Sequence, residues 1–411
     1  MMRFESRRTA SVVSGPIRPG AVSAPDPATK RRYPVQAAVD ACPGVLTLHP
    51  ARDGQVARIR LPGGYLKARQ WAAVAALARE FGDGNVDVTA RGNIQVRGLQ
   101  PGAAAELASR AAQTGLLPSA AHDRSRNITA SPLSGLGGRP PLRGLVQALD
   151  AAIVADPVLA ALPGRFAFAV DDGTGGAAVA RSDVGLRRTG RQAELLIAGR
   201  CAGILLPVRA SVPAAIAAAR AAVTLGVGAH VARIRDLPGG GSAVAAAVGG
   251  AAGQAAPPDD GRLPLGALGL AGRDVLVAGA RLGRLTAAEV TLTASLLHPA
   301  DVLRLAPAGR IVIPLAVAPA TAAARLAQTE LLISDEDTMS GVSACSGMAC
   351  SRSVADVRAL ARPLPGRPRT HWAGCARGCG APADADLIVA TGPGSFLIGG
   401  QPADLSIAGA S

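Results

Sequence analysis

One structural unit occurs twice in this chain, in the order strand, tight turn, helix and strand, with about 220 residues between the copies. In the first copy, alternation from Val56 to Arg60 predicts a strand, Pro62-Gly63-Gly64 predicts a turn, and a long strand is predicted from Val86 to Arg97. Between them, apolar residues recur at helical spacing: Trp71, Val74, Ala75, Ala78 and Phe81. We therefore predict an α+β fold in which the second copy completes the core of the first.

The second copy repeats the pattern but not its polarity. Its turn is Arg281-Leu282-Gly283 and its long strand runs from Leu303 to Pro314. Because side chains alternate along a strand, four polar residues of the first copy are predicted to share one face: Arg91, Asn93, Gln95 and Arg97. In the second copy Ala308 and Val312 stand where the first has Arg91 and Gln95. The first copy is therefore expected to carry the ligand.

Composition excludes several classes of protein. The 411 residues are 49% hydrophobic, which allows more than one core and excludes disorder along the whole chain. No uncharged apolar run is long enough for a membrane span, no secretory signal is expected, and the predicted location is the cytoplasm. Aromatic residues make up only 2%, which disfavours stacking on nucleic-acid bases, although a net charge of +14 keeps a basic nucleic-acid-binding protein with a structural metal as an alternative.

Four of the six cysteines fall in two pairs near the end of the chain. Cys345 and Cys350 form a C-x4-C pair, and Cys375 and Cys379 form a C-x3-C pair. In a reducing compartment such pairs are typical of metal ligation, and four thiolates suit zinc or a 4Fe-4S cluster. Zinc sites favour short C-x2-C pairs, so the spacing favours the cluster, with buried free thiols as the structural alternative.

These features together resemble the nitrite/sulfite reductase-like superfamily, over residues 38 to 400. The motifs that carry the resemblance are the segment Val88–Gly98, the pair Arg126-Asn127, Arg58 in the segment 58–64, and the final C-x3-C. One departure is the first cysteine pair, which has four intervening residues where the family usually has five; Gly347 can absorb the change.

The resemblance implies a duplicated architecture with two ferredoxin-like half-domains and two α/β domains that bind ligand and cluster. We place a disordered arm at 1–34, the first half-domain at 35–108, the first α/β domain, for the tetrapyrrole, at 109–250, the second half-domain at 257–325 and the cluster-binding domain at 326–411. A linker is predicted within 238–258, which is rich in Gly and Ala.

Two further segments, 41–50 and 162–172, resemble the family of precorrin-3B-forming enzymes of aerobic cobalamin biosynthesis. That resemblance implies a monooxygenase-type oxidoreductase that converts precorrin-3A and dioxygen into precorrin-3B, by hydroxylation with lactone formation. It also implies a 4Fe-4S cluster on Cys345, Cys350, Cys375 and Cys379, a non-haem iron, and electrons that come ultimately from NADH through a separate reductase. The substrate is polyanionic, so Arg58, Arg91 and Arg126 are predicted to clamp its carboxylates, assisted by Asn93, Gln95, Arg97 and Arg165.

A sirohaem-dependent nitrite or sulfite reductase is the enzymatic alternative. Such reductases resemble one another in using lysines beside the haem to protonate a small oxyanion. This chain has only Lys30 and Lys67, and Arg165 occupies the matched lysine position. Because arginine is a poor proton donor, the sequence favours the oxygen-dependent reaction.

Overall fold

The computed structural model describes residues 40, 42–257, 263–382, 384–403 and 405, so the arm predicted at 1–34 lies outside the described residues. Over this part of the chain, twenty strands form four five-stranded sheets. No helix in these ranges has both the length and the apolarity that a bilayer crossing requires. The predicted α+β class and its duplication are confirmed, because the two halves repeat the same series of elements.

Two antiparallel sheets form the half-domains, and each contains one short strand from the other half. The first has the order β1-β2-β5-β4-β13, and the second has the order β11-β12-β15-β14-β3. The strands of the first half are β1 His49–Ala51, β2 Gly54–Ile59, β3 Tyr65–Leu66, β4 Asn85–Val88 and β5 Ile94–Leu99. Their counterparts are β11 Gly266–Leu270, β12 Arg273–Gly279, β13 Arg284–Thr286, β14 Leu303–Ala306 and β15 Arg310–Pro314. This exchange joins the halves through backbone hydrogen bonds.

Helices cover these sheets and share a single core. The helices are α1 Ala68–Phe81 and α2 Ala103–Gln113 in the first half, with α6 Ala287–Leu296 and α7 Pro319–Leu326 in the second. At the interface of α1 and α6, the buried Trp71 indole donates to Thr293 Oγ1 at 2.8 Å. The apolar stripe predicted from residue 71 to residue 81 faces this core.

The other two sheets have identical topology, with three parallel strands followed by two antiparallel ones. One consists of β6 Ile128–Ala130, β7 Phe168–Asp171, β8 Val184–Thr189, β9 Gln192–Ile197 and β10 Arg200–Pro207. The other consists of β16 Val342–Ala344, β17 Thr370–Ala373, β18 Asp386–Gly392, β19 Ser395–Ile398 and β20 Gln401–Ala403. Their helices are α3 Arg143–Ala155, α4 Val208–Thr224, α5 Gly240–Ala247 and the short α8 Val357–Leu360.

The long strand predicted from Val86 to Arg97 is wrong in one respect, because it is a hairpin. β4 and β5 pair antiparallel, and the turn between them closes with Thr89 N donating to Asn93 O at 2.7 Å. Gly92 has φ +67°, which a continuous strand does not tolerate. Arg91 and Asn93 therefore lie in a turn, and of the four residues predicted to share one strand face only Gln95 and Arg97 lie on a strand.

Helices lie at two of the predicted boundaries. Helix α2 crosses the division predicted between residues 108 and 109. Helix α5 lies inside the predicted 238–258 linker, because an alanine-rich segment can form a helix that packs Val244 and Ala245 into the core of the first α/β sheet.

Candidate active site

A cavity of about 470 Å³ lies where the first half-domain, the turns of the second and the cysteine-bearing domain meet. All four paired cysteines line it, together with Cys42. Five residues predicted as substrate ligands also line it: Arg58, Arg91, Asn93, Gln95 and Arg97. The structure thus brings the polar end of one hairpin and both cysteine pairs to one space.

The cavity wall is strongly cationic. Eight arginines line it: Arg58, Arg91, Arg97, Arg181, Arg310, Arg358, Arg369 and Arg377. The lining carboxylates are Asp87 and Asp384. Burial is the main cause that lowers the pKa of Arg58, and it lowers the pKa of Arg91 to about 10, which still leaves that side chain charged at neutral pH. Arg97, Arg310 and Arg369 are paired with Asp53, Asp335 and Asp384, and the other guanidinium groups suit a ligand with several carboxylates.

Gln95 orients Arg58 across the sheet. β2 and β5 are antiparallel neighbours, and their register places these two residues directly opposite each other. Arg58 Nε donates to Gln95 Oε1 at 3.0 Å, and its Nη2 donates to the same oxygen. The amide therefore holds the guanidinium in one position at the cavity wall.

The turn that carries Arg91 is fixed by Asn93. The Asn93 side chain is buried, its Oδ1 accepts from Leu61 N at 2.8 Å, and its Nδ2 donates to Asn127 Oδ1 at 3.0 Å. Arg91 Nη1 donates to Gly164 O at 3.2 Å. Asn93 therefore positions the turn, and Arg91 is the charged group that this turn presents.

Arg126 and Arg165, also predicted as substrate ligands, lie outside the lining of this cavity as the described residues define it. Arg126 forms a bidentate pair with Asp150 of α3, at 2.7 and 2.8 Å, and Arg165 is exposed. Neither is among the described residues that line the cavity. Consecutive residues in extended chain point in opposite directions, so Asn127, and not its neighbour, turns toward Asn93.

The cysteine pairs converge because they follow two adjacent parallel strands, β16 and β17, whose carboxyl ends meet at one edge. Cys345 follows β16 directly and Cys375 comes shortly after β17. The Sγ of Cys345 accepts from Gly347 N at 3.4 Å and from Gly374 N at 3.2 Å, and such bonds stabilise the negative charge of a thiolate. Burial, more than the nearby cysteines, raises the pKa of Cys379.

Four cysteines around one cavity are a donor set that suits a 4Fe-4S cluster. Within the described ranges, no three His, Cys, Asp or Glu side chains are grouped closely enough to hold one metal ion. In a 4Fe-4S cluster each thiolate binds a different iron, so four sulfurs stand apart around a shared space.

His371 supports the second cysteine pair from within β17. It is buried, its Nδ1 lies 2.9 Å from Ser343 Oγ, and its Nε2 lies 3.2 Å from Cys379 O. Burial lowers its pKa to about 4, so the ring is neutral at physiological pH. A neutral ring with the hydrogen on Nε2 satisfies both contacts.

Sequence reasoning missed several lining residues. Arg377 lies between Cys375 and Cys379, and Arg310 occupies the repeat position of Asn93, so both carried a signal in the sequence. No sequence pattern marked Arg181, Arg358 and Arg369, because only the packing of separate segments brings them to the cavity.

Comparison with known proteins agrees with this architecture. Residues 49–113 match the family described as the nitrite/sulfite reductase ferredoxin-like half domain. A precorrin-3B synthase of Sinorhizobium sp. is 27% identical over 396 residues, which cover 87% of this chain and 81% of that enzyme. A ferredoxin–nitrite reductase of Synechococcus elongatus is 34% identical over 133 residues, which are 30% of this chain and only 26% of that enzyme. This chain thus matches about a quarter of the nitrite reductase's length.

The solved structure of Mycobacterium tuberculosis NirA protein has a similar fold. It superimposes with a TM-score of 0.68 and covers 84% of this chain and 74% of that protein. The two sequences are 19% identical, so this likeness concerns the fold alone.

Proposed function

The chain belongs to the nitrite/sulfite reductase-like superfamily, and from this premise we propose that it oxidises precorrin-3A to precorrin-3B with dioxygen. One atom of dioxygen enters the product and the other leaves as water. The two further electrons come from NADH through a separate reductase. The cysteine-lined cavity is the site of this reaction in our proposal.

The observation that carries this proposal is the joint lining of one cavity by four cysteines and eight arginines. Precorrin-3A is a tetrapyrrole with acetate and propionate side chains, so it needs several cationic partners. The similarity to a precorrin-3B synthase extends over 87% of this chain, whereas the similarity to the nitrite reductase covers 30%. The extent of the first match supports this substrate.

Four of the lining residues have distinct roles in this proposal. Arg58 and Arg91 bind substrate carboxylates, because a guanidinium presents paired donors that match a carboxylate. Gln95 and Asn93 hold these two arginines in place. Their prior orientation lowers the entropy cost of substrate binding.

A 4Fe-4S cluster bound by Cys345, Cys350, Cys375 and Cys379 supplies one-electron transfer. The backbone amides of Gly347 and Gly374 donate to Cys345 Sγ and stabilise its negative charge. Around the cysteines, Arg358 and Arg377 add positive charge to the cavity wall. The chain thus balances the negative charge of the thiolates.

A sirohaem-dependent reduction of nitrite or sulfite is the second candidate, favoured by the similarity to nitrite reductases. That chemistry needs proton donors beside the substrate. None of the described residues that line the cavity is a lysine, and arginine keeps its proton at neutral pH. The cavity therefore suits binding of anions better than repeated protonation of one.

Purification of the full chain without oxygen, followed by absorption and electron paramagnetic resonance spectroscopy, tests the proposal. We expect a 4Fe-4S spectrum without sirohaem, and oxygen consumption that depends on precorrin-3A and a reductant. Replacement of any one of the four cysteines by Ser should remove this spectrum, whereas Cys201→Ser should keep it. Bound sirohaem with turnover of nitrite or sulfite would contradict the proposal, and so would retention of iron and sulfide in all four variants.

A further inference from the structure

The loop between Cys345 and Cys350 is held in part by the first half-domain. This loop, Cys345–Cys350, follows β16 and bonds to its own domain, but it also receives hydrogen bonds from the first half-domain. Arg52 in the β1–β2 turn donates its backbone N–H to Ala349 O at 3.0 Å. Arg97 on β5 donates from Nη2 to the same carbonyl at 3.1 Å and from Nη1 to Ser346 Oγ at 3.4 Å.

A carboxylate fixes the direction in which Arg97 points. Arg97 Nε lies 2.9 Å from Asp53 Oδ2, and its Nη2 lies 3.0 Å from Asp53 Oδ1. The Arg97 side chain is buried, so this bidentate pair operates where water screens it little. Asp53 and the cysteine loop together hold the Arg97 guanidinium. By contrast, no carboxylate among the described residues holds Arg58 or Arg91, which bond to Gln95 and to the Gly164 carbonyl.

The duplication provides an internal comparison. The strand register gives Pro314 the position of Arg97, and the β11–β12 turn has Ala271-Gly272 where the first has Arg52-Asp53. In the second half, the β11–β12 hairpin makes an apolar contact instead. Its Leu270 side chain packs against Gly137, where a Cβ would lie 3.3 Å from it. The fold therefore accepts a hairpin without the charged pair, and the pair occurs in the half that faces the cysteines.

From these contacts we propose that Arg97, oriented by Asp53, is a positioning residue that holds Cys345 and Cys350 at the spacing that one cluster requires. This inference rests on the cluster of the proposed function. Residues that orient metal ligands typically change metal affinity about 10–100-fold when they are replaced. The Arg97 charge also favours the reduced cluster, because reduction adds an electron close to the guanidinium.

Three variants of the full chain, purified without oxygen, test the inference against the matched exposed control Arg110→Met. Arg97→Met should lose iron and sulfide to a chelator about 10–100-fold faster than the parent, and its remaining cluster should have a lower reduction potential. Arg97→Lys keeps the positive charge but lacks the paired N–H donors of the guanidinium. The reduction potential of its cluster should therefore stay near the parent's, while cluster loss is faster. Asp53→Asn should accelerate cluster loss because Arg97 loses its orientation. Arg110→Met should match the parent in both measurements.

The outcomes separate this inference from the function it rests on. Parental cluster retention and potential in Arg97→Met would overturn the inference and leave the cluster itself in place. If Arg97→Met does not melt cooperatively, parental behaviour of both Arg97→Lys and Asp53→Asn would overturn it equally. A parent protein that binds no iron and sulfide would overturn both the inference and the proposed cluster.

Discussion

Arg60 is a buried guanidinium that has no hydrogen-bond partner among the described residues. It lies just after β2 with 2% of its surface exposed, and none of its three nitrogens makes a hydrogen bond. Burial, and secondarily the charge of Arg58, lower its pKa to about 9. A Cβ on Gly164 would stand only 2.9 Å from Arg60 Nη2, so the site is already filled. The chain therefore keeps a destabilising positive charge behind its cavity.

We predict that Arg60→Met raises the free energy of unfolding by roughly 1–4 kcal/mol at pH 7, because methionine fills similar space without a buried charge. Chemical denaturation of the parent, of this variant and of the exposed control Arg110→Met measures the effect. Destabilisation by Arg60→Met would mean that an anion compensates Arg60 in solution.

The same variant has a defined pH dependence. Below pH 9, the folded-state pKa of Arg60, its side chain is protonated in both states, so the folded protein carries the full penalty. Above pH 9 the folded protein releases this proton while the unfolded chain keeps it, so the parent becomes relatively more stable. The advantage of Arg60→Met should thus shrink between pH 9 and pH 11, and a constant difference would contradict the assigned pKa.

Arg91 offers a test of the cationic cavity at the level of one side chain. We predict that Arg91→Met weakens binding of precorrin-3A about 10–100-fold, since a charge-assisted hydrogen bond contributes about 1.5–3 kcal/mol. Equilibrium dialysis without oxygen measures the dissociation constant. Arg165→Met should change the dissociation constant little, because Arg165 is exposed and is not among the described residues that line the cavity. The reverse order of effects would remove Arg91 from the site.

At the scale of elements, the backbones of the two half-domains come into close contact at one turn. Gly64 precedes β3 with φ +71°, and a Cβ there would lie 2.0 Å from Leu305 O on β14. Gly92 approaches the same carbonyl, at 2.7 Å for its Cβ position. These contacts let β3 join the sheet of the other half, and they tolerate no side chain.

Gly64→Ala should therefore destabilise the protein by several kcal/mol, because the new side chain would strain the backbone and clash with the backbone carbonyl of Leu305. The matched control is Gly84→Ala, which has a similar φ of +80° but no atom within 4 Å of its Cβ position. Thermal unfolding compares the two, and the difference between them measures the clash alone. Equal losses of stability would show that the half-domains can move apart at this turn.

At the scale of the whole molecule, the exchanged strands make the two halves depend on each other. β13 completes the first half-domain sheet and β3 completes the second, and residues from both halves form one core. Each half alone would expose an unpaired sheet edge and its apolar interface.

We predict that fragments 42–257 and 263–405 do not fold separately but associate when they are produced together. Soluble yield and circular dichroism of each fragment, alone and combined, give the measurement. A cooperative melt of either fragment by itself would contradict the expected dependence.

The two half-domains also differ in the polarity of the strand residues at equivalent positions. Where β2 and β5 present Arg58 and Gln95, the register of β12 and β15 places Val277 and Val312. At these strand positions the first copy thus supplies polar side chains and the second supplies apolar ones, although Arg310 of the second copy also lines the cavity. The sequence already predicted this from Val312, because alternation along a strand is local information.

Local patterns in the sequence determined the repeat, its helices and the grouping of four cysteines, since period and spacing depend only on neighbouring residues. The resemblance to a family supplied the two α/β domains. These predictions needed no knowledge of distant contacts, and the duplicated α+β class is confirmed.

Only the tertiary structure decided which arginines line the cavity. Arg126 turned out to pair with Asp150 on α3, and Arg358 came from a segment that had shown no motif. The exchange of β3 and β13, and the hairpin in place of one long strand, likewise depend on partners far away in the chain. The direction of a charged side chain is set by the carboxylates and carbonyls that packing brings near it, and a linear pattern does not contain those neighbours.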